Sequence, residues 1–180
     1  MRRLLVLVAF SLVACGVPAP TASPAGKHET TQVVDVVGPF QLTFALPLTT
    51  LASGDAIEGE AQLALMAGNQ AKVFGSGGGL LAFEFQQIGG GRHIEPVWTA
   101  DCAPHTLATN QPMRSAITKS GGWSNDQQDA QFYRDFFADP VVRLPIGEWD
   151  ITAVAMFVEG EGCGGASHTL RASIRVRITN

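Results

Sequence analysis

Charge is scarce in this chain of 180 residues. Lys, Arg, Asp and Glu make up 16%, against about 25% in a typical soluble domain. The formal charge is −4, so no basic excess suits the chain to nucleic acid. No repeat recurs along it, and no strand–helix–strand rhythm points to a parallel sheet. No long apolar run exists either. The longest, residues 4–14, is broken only by Ser11. At about 1.5 Å per residue it falls well short of the roughly 30 Å hydrocarbon core. Apolar residues reach 46%, which argues against a disordered chain, and no heptad suggests a coiled coil. The length suits one domain. The high count of 20 Gly and 10 Pro suits short elements joined by many turns.

The N-terminus reads as an address. Met1-Arg2-Arg3 is a short positive start, the apolar run follows, and it ends Leu12-Val13-Ala14-Cys15. A run this short is the h-region of a signal peptide rather than a spanning helix. The tetrad resembles the lipobox of bacterial lipoproteins. The resemblance implies a signal peptide over 1–14, export by the general secretory route, and acylation of the Cys15 thiol. It also implies a bacterial cell membrane or outer membrane location, with the chain lipid-anchored and facing the extracytoplasmic side. Cleavage there removes Arg2 and Arg3, leaving 10 basic against 16 acidic residues and a formal charge of −6. Residues 15–32 read as the acylated cysteine and a flexible tether. Pro18, Pro20 and Pro24 interrupt a stretch with no hydrophobic period, which cannot offset its ordering entropy by burial. Extended, it reaches at most about 50 Å.

From residue 33 to residue 180 the pattern is mostly of period two, as a half-buried strand requires. Leu170, Ala172, Ile174, Val176 and Ile178 alternate with Arg171, Ser173, Arg175 and Arg177. Segments 41–46, 57–65, 80–88, 94–99, 113–118 and 148–158 behave similarly, and Gly- or Pro-rich turns separate them. The three arginines predict a solvated or edge-guarding face, with an anion-facing strip as the alternative. Residues 126–138 break the alternation. They predict one short helix, capped by Ser124, Asn125 or Asp126, with Phe132, Tyr133, Phe136 and Phe137 on one aromatic face. Leu144-Pro145-Ile146-Gly147-Glu148-Trp149 resembles the turn-and-strand entry of bacterial extracytoplasmic immunoglobulin-like domains. The expected fold is therefore mainly β: an immunoglobulin-like antiparallel β-sandwich of about seven strands with that one inserted helix. The resemblance implies a fold and no activity.

Chemistry is sparse. Cys102 and Cys163 are an even pair in an exported chain, which predicts a disulfide. Cys102, His105, Cys163 and His168 also have the order of a two-cysteine, two-histidine zinc site, the alternative use of the same thiols. The Gly75–Gly79 run lacks the Lys and Ser/Thr of a phosphate loop and reads as a flexible strand connection. Glu58 and Glu60 read as a solvated face. Trp98, Trp123 and Trp149 could stack on sugars, Trp149 being the core residue by its alternation. Trp123 with Phe132, Tyr133 and Phe136 forms the candidate ligand surface. No constellation of nucleophile and base stands out, and no cofactor is expected. The expected function is a non-enzymatic binding or envelope-interaction module, with a carbohydrate- or ligand-binding surface module as the alternative. Its partners would be the membrane, through the lipid, and an envelope protein or polysaccharide, without nucleic acid.

Overall fold

A computed structural model describes residues 30–180. The signal peptide, Cys15 and nearly all of the tether lie outside the described residues. In chain order the elements are β1 (Thr31–Val37), β2 (Phe40–Leu46), β3 (Thr50–Ala52), β4 (Glu60–Leu65), β5 (Gln70–Gly75), β6 (Leu81–Gln87), β7 (His93–Ile94), β8 (Ala103–Ala108), β9 (Met113–Ala116), α1 (Ala130–Ala138), β10 (Gly147–Glu159) and β11 (Ala166–Thr179). The fold is mainly β, in two sheets. One runs β1-β2-β4-β9. The other runs β3-β11-β10-β5-β8, and β6 also pairs with β10 and carries β7 on its far side. Strand pairing begins at Thr31, two residues before the expected start of the domain at Val33.

Alternation explains the packing. Phe40, Leu42, Phe44 and Leu46 of β2 are all fully buried, while Gln41, Thr43 and Ala45 between them are half-buried. Trp149, Ile151, Ala153, Ala155 and Phe157 of β10 bury the opposing surface. One core cluster takes side chains from both sheets. Phe44 meets Phe83 at 5.8 Å between ring centroids, and Phe40 meets Phe157 edge-on at 4.8 Å. Each such side chain contributes about 1.5–3 kcal/mol by leaving water. The hairpin β10–β11 pairs along its whole length, from Gly147 opposite Ile178 to Glu159 opposite Ala166. Its entry is the predicted turn. Gly147 has φ 140°, open to glycine alone. The Trp149 indole donates to the Pro145 carbonyl at 3.0 Å.

The arginine face is solvated, as the first expectation had it, but its charges are paired. Arg175 clasps Asp150 with two bonds of 2.8 and 2.9 Å, Arg177 holds Glu148 at 2.6 Å, and Arg171 reaches Glu84. The carboxylates come from β10 and β6, so the face is a neutral ladder and not a strip of free positive charge. Nor is β11 an edge along its length. β10 flanks one side, and β3 pairs in parallel with residues 177–179 on the other. Nearer the hairpin turn, the Arg171 backbone N–H donates to the Asp35 carboxylate of β1 at 2.7 Å. That polar residue on an edge strand ties one sheet to the other and blunts the edge.

The helix begins at Ala130, later than the expected 126. Asp129 stands at its N-cap with φ 59° and makes no side-chain cap bond. Its carboxylate instead binds Arg92 at 3.1 Å. Ser124 and Asp126 belong to a preceding turn, where the Asp126 N–H donates to the Ser124 hydroxyl at 3.3 Å. The helix stops at Asp139, in extended conformation before Pro140, as predicted. Lys119 closes that end by donating to the carbonyls of Phe136 and Asp139, the latter at 2.7 Å. A cation suits the negative pole of the helix.

Candidate functional site

The expected aromatic platform is not assembled as an open surface. Tyr133 and Phe136 are buried in the core, where Phe136 packs on Phe85 at 5.6 Å. The Tyr133 hydroxyl bridges the backbone of His93, accepting its N–H and donating to its carbonyl. Phe132 is half-buried, and the Arg92 guanidinium lies 4.5 Å from its ring centre. Trp123 is exposed at 38%, with Arg134 over its ring at 5.5 Å. The two least buried rings are thus already covered by cations.

Cys102 and Cys163 form a disulfide with their Cα atoms 6.0 Å apart. It joins the segment entering β8 to the turn of the β10–β11 hairpin. The thiolates that a zinc site would need are consumed in that bond. Their histidines go elsewhere. His105 Nε2 donates to the Ser76 carbonyl at 3.0 Å. His168 stacks on Phe157, meets Phe40 edge-on, and bonds Glu159 at 3.2 Å. Among the described residues, no three His, Cys, Asp or Glu side chains converge as metal ligands.

The site that does assemble surrounds Trp98, on the segment 95–102 between β7 and β8. Expected to be strand over 94–99, this stretch leaves the sheet after Ile94, and Pro96 has no N–H to offer a ladder. It is pinned to the glycine turn between β5 and β6. The Ser76 hydroxyl accepts N–H bonds from Thr99 and Gly78, both at 3.2 Å, and lies 2.7 Å from the Thr99 hydroxyl. The Thr99 hydroxyl donates to Asp101 Oδ1, so the proton of the Ser76–Thr99 bond comes from Ser76. Gly77 N–H also donates to Asp101 Oδ1, at 3.0 Å. A Cβ on Gly77 would meet Asp101 Oδ2 at 2.0 Å, so the close approach requires glycine there. The 75–79 run is a fastened turn, not the flexible connection expected of its composition. Bonds from the Thr99 hydroxyl and the Gly77 N–H hold the Asp101 carboxyl below the usual range. Ser76 is buried with its proton given to Thr99, and His105 faces its carbonyl. The pair is therefore not arranged as nucleophile and base.

Two adjoining clefts share Trp98. One, about 210 Å³, is lined by Phe74, Asp101, Met156, Cys163 and Ser167. The other, about 240 Å³, runs past Ser76 and Thr99 to Thr118, Lys119 and Ser120. Two cavities of about 260 Å³ also flank the helix. Their charged groups are largely matched, however: Arg143 with Asp139 at 2.5 Å, Lys119 with the helix carbonyls, and His93 with Glu84 at 2.8 Å. Around Trp98 two polar atoms lack partners among the described residues, one facing solvent and one closed off from it. Asp101 Oδ2 accepts no hydrogen bond, and the Ser120 hydroxyl is buried without one. Trp98 was legible as an aromatic that could stack. Asp101, Met156 and Ser120 carried no sequence signal, since only the tertiary fold brings them to it.

No family model matches the chain, and neither a curated protein nor a solved structure does.

Proposed function

We propose that this chain is a lipid-anchored extracytoplasmic lipoprotein whose folded part is a non-enzymatic binding domain. Cys15 carries the lipid, residues 16–30 tether the domain, and the domain meets an envelope protein or polysaccharide. The observation that carries this reading is the Cys102–Cys163 disulfide between two exposed segments. Such bonds persist in oxidising compartments, the destination the lipobox at Leu12-Val13-Ala14-Cys15 addresses. An immunoglobulin-like sandwich is the finer reading of the fold. It is supported by the two sheets around one core, by the crossing of the chain from β2 in one sheet to β3 beside the last strand of the other, and by the Leu144–Trp149 entry turn. Binding is favoured over hydrolysis because Ser76, His105 and His168 are engaged in structural hydrogen bonds.

The test is detergent phase separation of the chain expressed in a bacterial host. The native protein should enter the detergent phase. Cys15→Ser should leave it in the aqueous phase, with the disulfide still formed. A Cys15→Ser protein that partitions like the native chain would overturn the reading.

A further inference from the structure

Trp98 belongs to both clefts: Asp101, whose Oδ2 accepts no bond from the described residues, lines the smaller, and Thr118 lines the larger. Each volume alone, about 210 and 240 Å³, is below the roughly 300–1,000 Å³ of a small-molecule site, but together they fall within it. A ligand that fits must therefore extend past the indole. It must present an apolar face to Trp98 and a hydroxyl donor to the carboxylate, and continue as a polar surface past Thr118. A pyranose ring has this character, with C–H groups on its faces and hydroxyls around its rim. We infer that the paired clefts flanking Trp98 bind a neutral oligosaccharide of at least two pyranose rings, one on either side of the indole. This rests on the reading of the chain as an extracytoplasmic binding domain, and it names that domain's ligand class.

Neutrality follows from charge. The one ammonium lining the clefts, Lys119, donates to the carbonyls of Phe136 and Asp139 and lies 4.3 Å from the Phe136 ring centre. It is turned toward the helix, not toward an acidic sugar. Asp101 stands exposed and ionised, and the chain after cleavage carries a formal charge of −6. Both repel polyanions. Asp101 is also preorganised. Its Oδ1 is fixed by Gly77 and Thr99, which leaves Oδ2 as the acceptor, and the disulfide at the adjacent Cys102 anchors the segment to the hairpin.

The experiment is affinity electrophoresis of the full acylated chain in detergent. The gels carry amylose, hydroxyethyl cellulose, glycol chitosan re-acetylated to neutrality, or mannan, with dextran sulfate as the anionic comparison. At least one neutral polymer should retard the native protein, and the retardation should persist at 0.5 M salt, about five times the concentration at which the Debye length is roughly 10 Å. Trp98→Ala should weaken retardation about tenfold, the loss of one aromatic contact of roughly 1.4 kcal/mol. Trp123→Ala should leave it unchanged. Asp101→Asn keeps an acceptor oxygen for Gly77 and Thr99 while replacing Oδ2 by a donor. It should weaken binding severalfold while the circular dichroism of the folded domain is retained, and so tests the site even if Trp98→Ala fails to fold. No retardation by any neutral polymer, retardation by dextran sulfate alone, or equal retardation of Asp101→Asn and the native chain would each overturn the proposal. Any of these outcomes leaves the Cys15→Ser phase-separation result intact, so failure of the ligand class and failure of the anchor are read separately.

Discussion

Removing the disulfide tests both the fold and the compartment. The bond closes a loop with 61 residues of separation, which contains β8, β9, α1 and all of β10. In the chain-entropy account, opening a loop of that length returns about 14 cal/mol/K to the unfolded state, or about 4 kcal/mol at 25 °C. Native stability is typically only about 5–15 kcal/mol, so the effect should dominate the unfolding curve. Cys102 and Cys163 are exposed, so replacing both by serine leaves no cavity in the core. The change then reports the cross-link and little else. With a urea slope of about 2 kcal/mol/M, the midpoint of Cys102→Ser/Cys163→Ser should fall by about 2 M. The slope itself should rise, because the freed unfolded chain exposes more surface. Circular dichroism in urea measures both, and the native protein unfolded under reductant should superimpose on the double variant. A midpoint shift below about 0.5 M with an unchanged slope would refute the reasoning. It would mean that the unfolded loop is already restrained without the bond.

Phe44→Ala removes an inter-sheet contact with Phe83 and should cost about 3–5 kcal/mol, read as a lowered urea midpoint. Gly77→Ala forces Asp101 away and releases Thr99; a lowered urea midpoint should come with faster hydrogen exchange at Gly77–Gly79 and Thr99, and unchanged exchange there would refute the clasp. Burial alone would raise the Glu84 pKa, but hydrogen bonds from His93 and Arg171 outweigh it and hold it below the ordinary glutamate value. Ionised Glu84 therefore stabilises the fold above the unfolded-state value, and that contribution is lost as pH falls through the lower folded value. Glu84→Gln should cost about 1–2 kcal/mol at neutral pH and flatten the loss of stability in acid, measured by urea unfolding from pH 3 to 7; an unchanged slope in acid would contradict the assignment.

What the residues disclosed tracks how local each cause is. The β10–β11 hairpin was legible because its burial is written in consecutive residues, Trp149 to Phe157 and Leu170 to Ile178. The two long strands at the end of the chain thus organise the larger sheet much as their alternation predicts. Eleven strands stand among the described residues where about seven were expected. The extra ones include pieces too short to show a period: β3 with three residues, β7 with two. The parallel pairing of β3 with β11 had no local signal, since each partner lies more than a hundred residues from the other. The helix start failed for a related reason. Ser124 and Asp126 have the residue types of a cap, yet they spend them on a tight turn, and Asp129 is drawn to Arg92.

The arginines and the tryptophans make the same point about function. A row of Arg171, Arg175 and Arg177 reads as positive charge until Glu84, Asp150 and Glu148 are placed beside it, and only the strand register does that. Four aromatics on a helical face call for a cover and leave an open surface as the alternative, until Phe85 and the core are set against them. Each apparent site was emptied by a partner distant in sequence. The Trp98 site was filled by the opposite process. Ser76 clasps Thr99 across 23 residues, Gly77 clasps Asp101 across 24, and the disulfide spans 61. Such clasps fix a segment whose own residues do not choose strand or helix. A fixed loop costs less ordering entropy on binding than a mobile one. That is the physical ground for locating recognition at the fastened Trp98 segment and not at the more exposed Trp123, which has a cation on its face.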